Sequence, residues 1–104
     1  MKPIIQEAAR ADILGQYQHY LKLGIVDVAE KFLENVSESI KAVVAMPEIG
    51  APKIIGNPHL HGLRTWVVKG FDQFRIYYLS DSEHLIVVRV LHGKRDVMTI
   101  LEEP

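Results

Sequence analysis

The residues best suited to chemistry form one short run near the C-terminal end of the chain, His92-Gly93-Lys94-Arg95-Asp96. An imidazole changes its charge near neutral pH, and neighbouring cationic side chains stabilise developing negative charge. The run could therefore support proton transfer beside an anionic group. It could equally be structural, with Arg95 and Asp96 only fixing the end of a strand, and the residue types alone leave both interpretations open.

Other residue patterns point away from metal binding and nucleophilic catalysis. The sequence has no Cys, which excludes disulfides, thiolate nucleophiles and cysteine-based metal sites. His59 and His61 have no third ligand nearby, so a loop role is favoured over a metal site. Ser37 and Ser39 have no neighbouring His, and no glycine-rich phosphate loop is present. We expect neither a metal nor a cofactor.

The charges are distributed unevenly along the 104 residues. The totals of 12 basic and 13 acidic side chains give a net charge of −1. Residues 1–51 sum to −2, whereas residues 52–96 carry seven basic and four acidic groups and sum to +3. Such asymmetry can mark a surface for an anionic partner, although fluctuations of this size also arise in ordinary domains.

The N-terminal half has the pattern of a short strand followed by two helices. Residues 2–6 are apolar, and Pro3 is tolerated in an edge strand. Helical spacing begins at Glu7 and stops near Gly24. A second, amphipathic helix of about 20 residues is predicted from Val26 or Asp27 to just before Pro47. Its apolar stripe is Ala29, Phe32, Leu33, Val36, Ile40 and Val43.

After Gly62 the apolar residues alternate, which is typical of strands. Segments 63–69, 74–79 and 85–91 are rich in β-branched and aromatic residues and are separated by short polar turns. Three such strands predict an antiparallel meander. The fold class is therefore α+β, β-α-α-β-β-β, with two helices packed on a small antiparallel sheet in a single domain spanning residues 1–104. The pattern after Asp96 fits either a short helix or a terminal strand.

Strict alternation assigns the side chains of each strand to two faces. Ile86, Val88 and Val90 are expected to face the helices, as are Phe74, Ile76 and Tyr78. The far face is then predicted to be open and to combine basic with aromatic side chains: Arg64, Trp66, Arg75, Tyr77 and Arg89. Such a face could bind a polyanion or could be an ordinary solvated surface.

The apolar runs are too short to cross a bilayer, and the first residues lack the apolar core of a secretion signal. Together with the absence of Cys, these features favour the cytoplasm.

Five segments resemble a known family when taken in order. They are Ala11-Asp12-Ile13, Met46-Pro47-Glu48-Ile49-Gly50, Gly62-Leu63-Arg64-x-Trp66-x-Val68, Phe74-Arg75-Ile76-Tyr77-Tyr78 and Val88-Arg89-Val90-Leu91-His92-Gly93-Lys94-Arg95-Asp96. Through them the chain resembles ParE-type toxins of the RelE/ParE superfamily, the toxin halves of bacterial toxin–antitoxin pairs. The two helices beside a sheet in that superfamily agree with the pattern above.

The resemblance implies alternative activities. RelE-like members cut messenger RNA on the ribosome using clustered basic residues with a Tyr or His. Arg75, His92 and Arg95 would be the catalytic candidates, but the paired lysines of that site are replaced around Trp66 and Val68. ParE-like members instead poison DNA gyrase and are not enzymes, and this chain is closer to them. A third possibility is an inactive binding module with the toxin fold.

The resemblance also implies partners. A ParD-like antitoxin would wrap the toxin, DNA gyrase would be the target, and neither a membrane nor sequence-specific binding of nucleic acid by the toxin alone is expected. The surface expected to meet the target or the antitoxin comprises Trp66, Arg75, Arg89, His92, Lys94 and Arg95.

Overall fold

The computed structural model describes residues 1–102 and contains five strands and three helices. In chain order they are β1 (Lys2–Ile5), α1 (Glu7–Lys22), α2 (Val26–Ala45), β2 (Ala51–Pro52), β3 (Arg64–Val68), β4 (Phe71–Ser80), β5 (His84–His92) and α3 (Val97–Glu102). A single 3₁₀ turn, Pro58–Leu60, precedes β3. Within residues 1–102, no helix has the length and apolar character needed to span a membrane.

The strands form one sheet in the order β1-β5-β4-β3-β2. The β3-β4-β5 meander and the pairing of β2 with β3 are antiparallel, while β1 lies parallel to β5. The α+β class is thus confirmed, but the sheet is mixed rather than wholly antiparallel. The first strand leads directly into α1 and is held at its end by the bond from the Gln6 amide to the Val87 carbonyl, 3.1 Å.

The second helix matches its predicted length and amphipathic character. It ends at Ala45, two residues before Pro47, whose ring cannot continue a helix. Its buried face includes Ala29, Phe32, Val36, Ile40 and Val43. Leu33, at the edge of the predicted apolar stripe, is 39% exposed.

The alternation predicted for β5 is also wrong, because the pairing with β4 contains a bulge. Tyr77 lies opposite Arg89 and the next residue, Tyr78, lies opposite Val87, so β5 contains one residue more than β4 at this point. An extra residue reverses the in-out order of the side chains that follow. Leu85, Val87 and Val90 consequently pack in the core beneath the helices, whereas Val88 and Leu91 lie in a second core on the far side.

The far face of the sheet is covered rather than open. The segment after Asp96 forms α3, which places Leu101 on a cluster that includes Leu63, Tyr77 and Leu91. Asn57 donates a hydrogen bond of 3.3 Å from its amide to the Leu101 carbonyl. Alternation within the strands cannot reveal this cover, since it comes from a loop and a helix outside them.

Candidate functional site

Trp66 and Arg89 do not belong to the far face. Trp66 is half-buried and packs against the helix-side core. The Arg89 guanidinium donates from Nε to Oδ2 of Asp12 at 2.7 Å and from its terminal nitrogen to Oδ1 at 2.8 Å. These hydrogen bonds hold the pKa of Arg89 above its ordinary value. Arg89 thus fixes α1 to β5, and its charge is largely neutralised.

Asp12 accepts a third hydrogen bond at this junction between α1 and β5. Its Oδ2 atom accepts a hydrogen bond of 3.0 Å from the Val90 backbone amide next to the bulge. A carboxylate that accepts a paired guanidinium and a backbone amide has most of its lone pairs satisfied. The junction is therefore structural in its chemistry and leaves no free group for catalysis.

His92 is held by two hydrogen bonds through its ring. Nδ1 accepts a bond of 3.0 Å from the Lys94 backbone amide, and Nε2 lies 2.7 Å from Oε1 of Gln73. We assign the proton to Nε2, since the backbone amide can only donate and the Gln73 oxygen accepts. The ring also packs edge-on against Phe74, with centroids 5.0 Å apart. In this arrangement both ring nitrogens of His92 are hydrogen-bonded.

Arg75 and Arg95 do come together, in a depression on the far side of the sheet that we call the basic pocket. It has a volume of about 570 Å³, and its chemically active lining residues are Lys53, Thr65, Arg75, Tyr77, Arg95 and Asp96. Lys53 approaches from the segment after β2, Arg75 projects from β4, and Arg95 follows β5. Three cationic side chains around one depression favour the binding of an anion.

Two tyrosines of β4 differ in their surroundings. Burial raises the pKa of Tyr77, opposed by the nearby positive charge of Arg75, so its phenol in the basic pocket is neutral at pH 7. Burial also raises the pKa of Tyr78, which points to the opposite face. The Tyr78 hydroxyl accepts a bond from the Gly50 amide at 2.9 Å and donates to the Pro47 carbonyl at 2.8 Å.

The remaining predicted residues have individual positions. Lys94 is exposed in the turn after β5 and is absent from the pocket lining. Arg64 holds the segment after α2, donating to the Gly50 carbonyl at 2.7 Å. The six predicted site residues therefore do not form one surface, and only Arg75 and Arg95 share a depression.

Sequence reasoning missed Lys53 and Thr65 in the basic pocket. Lys53 lies in a segment rich in Gly and Pro, where no periodicity indicates a direction for its side chain. The pairing of β2 with β3 brings that segment to the sheet. The Lys53 amide donates a hydrogen bond of 2.8 Å to the Leu63 carbonyl. The sequence offers only one indication, a basic residue directly before the apolar pair Ile54-Ile55.

A second depression was also missed, and we call it the apolar groove. It lies between β1, α1 and α2, has a volume of about 540 Å³ and is lined mainly by apolar side chains. Leu14 and Leu33 are 51% and 39% exposed there, and Arg10 and Lys41 are among its lining residues. The only sequence signal for this groove is the width of the apolar stripe of α2, which includes Leu33 next to Phe32.

The two depressions suit different kinds of partner. Within residues 1–102, no three His, Asp or Glu side chains are grouped so that they could hold a metal ion. The basic pocket suits an anion, and the apolar groove suits an amphipathic segment of another protein.

Comparison with known proteins now places the chain in a family. No curated protein sequence matches it. A solved structure of a chromosomal ParDE toxin–antitoxin system from P. aeruginosa superposes with a TM-score of 0.71 and is 22% identical, covering 88% of this chain and 95% of that one. At 22% identity, this structural similarity establishes the fold of the chain and nothing finer. The family profile described as the ParE toxin of the type II toxin–antitoxin system parDE matches residues 4–97. Because this match spans most of the chain, the protein belongs to the ParE toxin family of type II toxin–antitoxin systems.

Proposed function

We propose that this chain is a cytoplasmic toxin that inhibits DNA gyrase, arrests bacterial growth and is neutralised by a ParD-like antitoxin. The observation that carries the proposal is the family match over residues 4–97. The target and the antitoxin are inferences from the family, and the geometry of two sites supports them.

The state of His92 supports a toxin that acts by binding rather than by cleaving RNA. A general base must present a free lone pair within reach of the proton it removes. Both ring nitrogens of His92 are engaged by Gln73 and Lys94, and the residue is absent from the lining of the basic pocket. His92 is therefore poorly placed to act as a general base beside Arg75 and Arg95.

The apolar groove supports the antitoxin as partner. Its exposed leucines offer an apolar floor, and Arg10 and Lys41 offer positive charge. An amphipathic helix carrying acidic residues beside its apolar face would be complementary to this surface. We therefore assign the groove to the antitoxin. The variant Leu14→Glu/Leu33→Glu is expected to lose antitoxin binding, with Ile54→Glu, in an exposed loop, as its control.

The gyrase assignment is tested with purified components. Adding the protein to gyrase and supercoiled DNA is expected to inhibit supercoiling and to accumulate cleaved DNA bound to the enzyme. Prior addition of the ParD-like antitoxin should prevent both effects. Growth arrest in cells, combined with unaffected gyrase in vitro, would show that the target is a different one.

Ribosome-dependent cleavage of messenger RNA is the second candidate, and the basic pocket is the observation that favours it. Lys53, Arg75 and Arg95 could bind a phosphodiester beside the neutral phenol of Tyr77. Mapping the 5′ ends of messenger RNA after expression of the toxin is induced distinguishes ribonuclease activity from gyrase inhibition. Cuts within codons at the ribosomal A site, abolished by Arg75→Gln, would establish the ribonuclease and overturn the gyrase proposal.

A further inference from the structure

The three cationic side chains of the basic pocket have no ionic partner in the part of the chain that the structure describes. Within residues 1–102, no Asp or Glu oxygen lies within 4.0 Å of a side-chain nitrogen of Lys53, Arg75 or Arg95, and none of the three donates a side-chain hydrogen bond. Arg64 and Arg89 of the same sheet are, in contrast, both held by acceptors within the chain. Uncompensated positive charge destabilises a compact fold, so we expect a partner to neutralise this cluster.

The sheet fixes the position of the basic pocket. Ala51 of β2 pairs with Thr65 of β3, and Thr65 pairs with Tyr77 of β4, so these three residues share one face. Arg75 precedes Tyr77 by two residues along β4. Lys53 follows Ala51 by two residues, and it lines the depression together with Arg75. Because the strands hold these backbone positions, the site is formed before a partner binds, which lowers the entropy lost on binding.

Thr65 adds a hydroxyl group that is shielded from water. Within residues 1–102 its Oγ1 atom makes no hydrogen bond of acceptable geometry. The Thr65 side chain does interact with the Tyr77 phenol, where it partly offsets the burial that raises the pKa of Tyr77. A buried hydroxyl is costly to leave unpaired, and an oxygen of a bound anion would accept a hydrogen bond from it.

Asp96 is the one acidic residue that lines the basic pocket. Both of its carboxylate oxygens are engaged by Thr99, one by the hydroxyl at 2.7 Å and the other by the backbone amide at 3.3 Å. Three cations and one carboxylate, beside the neutral phenol of Tyr77, leave the lining with a net charge of +2. The charge of Asp96 therefore reduces the attraction for an anion but does not cancel it.

Two features favour a carboxylate over a nucleic-acid strand as the anion. A strand brings a negative charge at every nucleotide, whereas the net charge of this chain is −1. The wall of the pocket is also partly apolar, because Pro52, Val97 and Met98 contribute to it, and Met98 is 40% exposed. An acidic side chain with apolar neighbours matches both the charge of the lining and this wall.

The position of the pocket relative to the apolar groove assigns the carboxylate to the antitoxin. The groove lies between β1, α1 and α2, and the basic pocket lies on the far side of the sheet. An extended segment of about 15 residues covers some 50 Å, which exceeds the largest extent of the molecule, 40 Å. An antitoxin helix seated in the groove thus needs only a short continuation to reach the pocket. The pocket then adds to an interface already proposed and need not form one alone.

We propose that the basic pocket binds a carboxylate of the antitoxin, carried by an acidic side chain with apolar neighbours on a segment that continues from the helix in the groove. Lys53, Arg75 and Arg95 neutralise its charge, and the Thr65 hydroxyl donates to one of its oxygens. This deepens the proposed antitoxin partnership and rests on it, but it does not depend on gyrase being the target. The pocket consequently serves neutralisation and not toxicity.

The decisive variant is Arg75→Gln/Arg95→Gln. Both side chains are exposed and have no hydrogen bond to lose, so the thermal midpoint of the free toxin is expected to stay the same or rise. The affinity for the ParD-like antitoxin, measured by calorimetry, should fall at least about 10-fold. Growth arrest without antitoxin should be unchanged, whereas coexpressed antitoxin should rescue fewer cells than it does with the wild-type toxin.

A matched control and a coupling measurement make the test specific. Lys22→Gln/Lys94→Gln removes the same charge from exposed positions outside both depressions and should keep the wild-type affinity. The acidic residues of the antitoxin are then replaced one at a time by Asn or Gln. One of these replacements should cost much less affinity against Arg75→Gln/Arg95→Gln than against the wild type, since residues in contact are not additive.

Four outcomes would overturn the proposal. An affinity of Arg75→Gln/Arg95→Gln equal to that of the control would do so, as would the absence of any coupled acidic residue. Loss of toxicity in Arg75→Gln/Arg95→Gln would show that the pocket serves the target or an RNA substrate. Binding of a DNA or RNA oligonucleotide by the wild type, but not by this variant, would assign the pocket to nucleic acid.

The proposed function fails in a different way. A wild-type chain that binds the antitoxin but does not inhibit gyrase would refute the gyrase assignment, and the affinities of the variants would still judge the pocket. A wild-type chain that does not bind the ParD-like antitoxin would overturn both the partnership and the role of the pocket.

Discussion

Asp12 fixes the first helix to the sheet through Arg89 and the Val90 amide. Replacing Asp12 with Ala leaves a half-buried guanidinium and a backbone amide without their acceptor. We expect Asp12→Ala to lower the free energy of unfolding by about 2–4 kcal/mol in urea titrations. Glu38→Ala removes the partner of Lys41 in an exposed pair, 3.4 Å apart, and should cost less than about 1 kcal/mol. Equal effects of the two variants would contradict a structural role for Asp12.

Replacing glycine with alanine is expected to have opposite effects on stability at Gly50 and at Gly15. A Cβ atom at Gly50 would collide with the Tyr78 hydroxyl and lie 2.8 Å from the Thr65 carbonyl, whereas at Gly15 nothing lies within 4 Å. We expect Gly50→Ala to destabilise the fold by about 2–3 kcal/mol. Gly15→Ala, in the interior of α1, should stabilise it by about 0.5–1 kcal/mol. Thermal unfolding measures both, and a stable Gly50→Ala protein would show that the contact with Tyr78 is not required.

Among the elements, α3 is capped at its first turn. Asp96 accepts hydrogen bonds from the Thr99 hydroxyl at 2.7 Å and the Thr99 amide at 3.3 Å, and these bonds lower the pKa of Asp96. A lowered pKa in the folded state means that the stabilisation is fully present above about pH 4, the pKa in the unfolded chain. It is lost as the pH falls through the folded value.

We therefore expect the first turn of α3 to fray progressively below pH 4, detected as faster amide hydrogen exchange in this helix. Asp96→Ala should increase exchange at every pH, because the cap is removed. Asp96→Asn retains a capping side chain that does not titrate. The protection of these amides, which is the measured exchange rate relative to that of an unstructured peptide at the same pH, should then be independent of pH. Pronounced acid sensitivity in Asp96→Asn would show that another group controls the fraying of the first turn.

At the scale of the whole molecule, the two cores on opposite faces of one sheet are small. A chain of this length buries only about two-thirds of its unfolded surface. A ParD-like antitoxin that binds the native state is expected to raise the thermal midpoint, by more than about 10 °C at 1,000 times its dissociation constant. Leu14→Glu/Leu33→Glu should abolish the increase. Equal midpoints with and without saturating antitoxin would contradict the proposed partnership.

The tertiary structure changes which residues can act together. The basic pocket brings Lys53 from the segment after β2 to Arg75 and Arg95 of the meander. In contrast, Arg89, expected beside them, is bound to a residue 77 positions earlier in the sequence. Of the predicted surface, the sequence therefore identified the basic character and two of the clustered residues, but not their neighbours.

The sequence by itself determined the two helices, the three long strands and their order, because each depends on apolar spacing within a few residues. Local chemistry also determined the glycine turn between α1 and α2 and the end of α2 before Pro47. Only the tertiary structure decided the parallel pairing of β1, the bulge opposite Tyr77 and the cover that α3 provides. Alternation assumes an unbroken pleat, so one extra residue reverses the faces of β5. Contacts between residues far apart in the chain are set by packing, which local spacing does not encode.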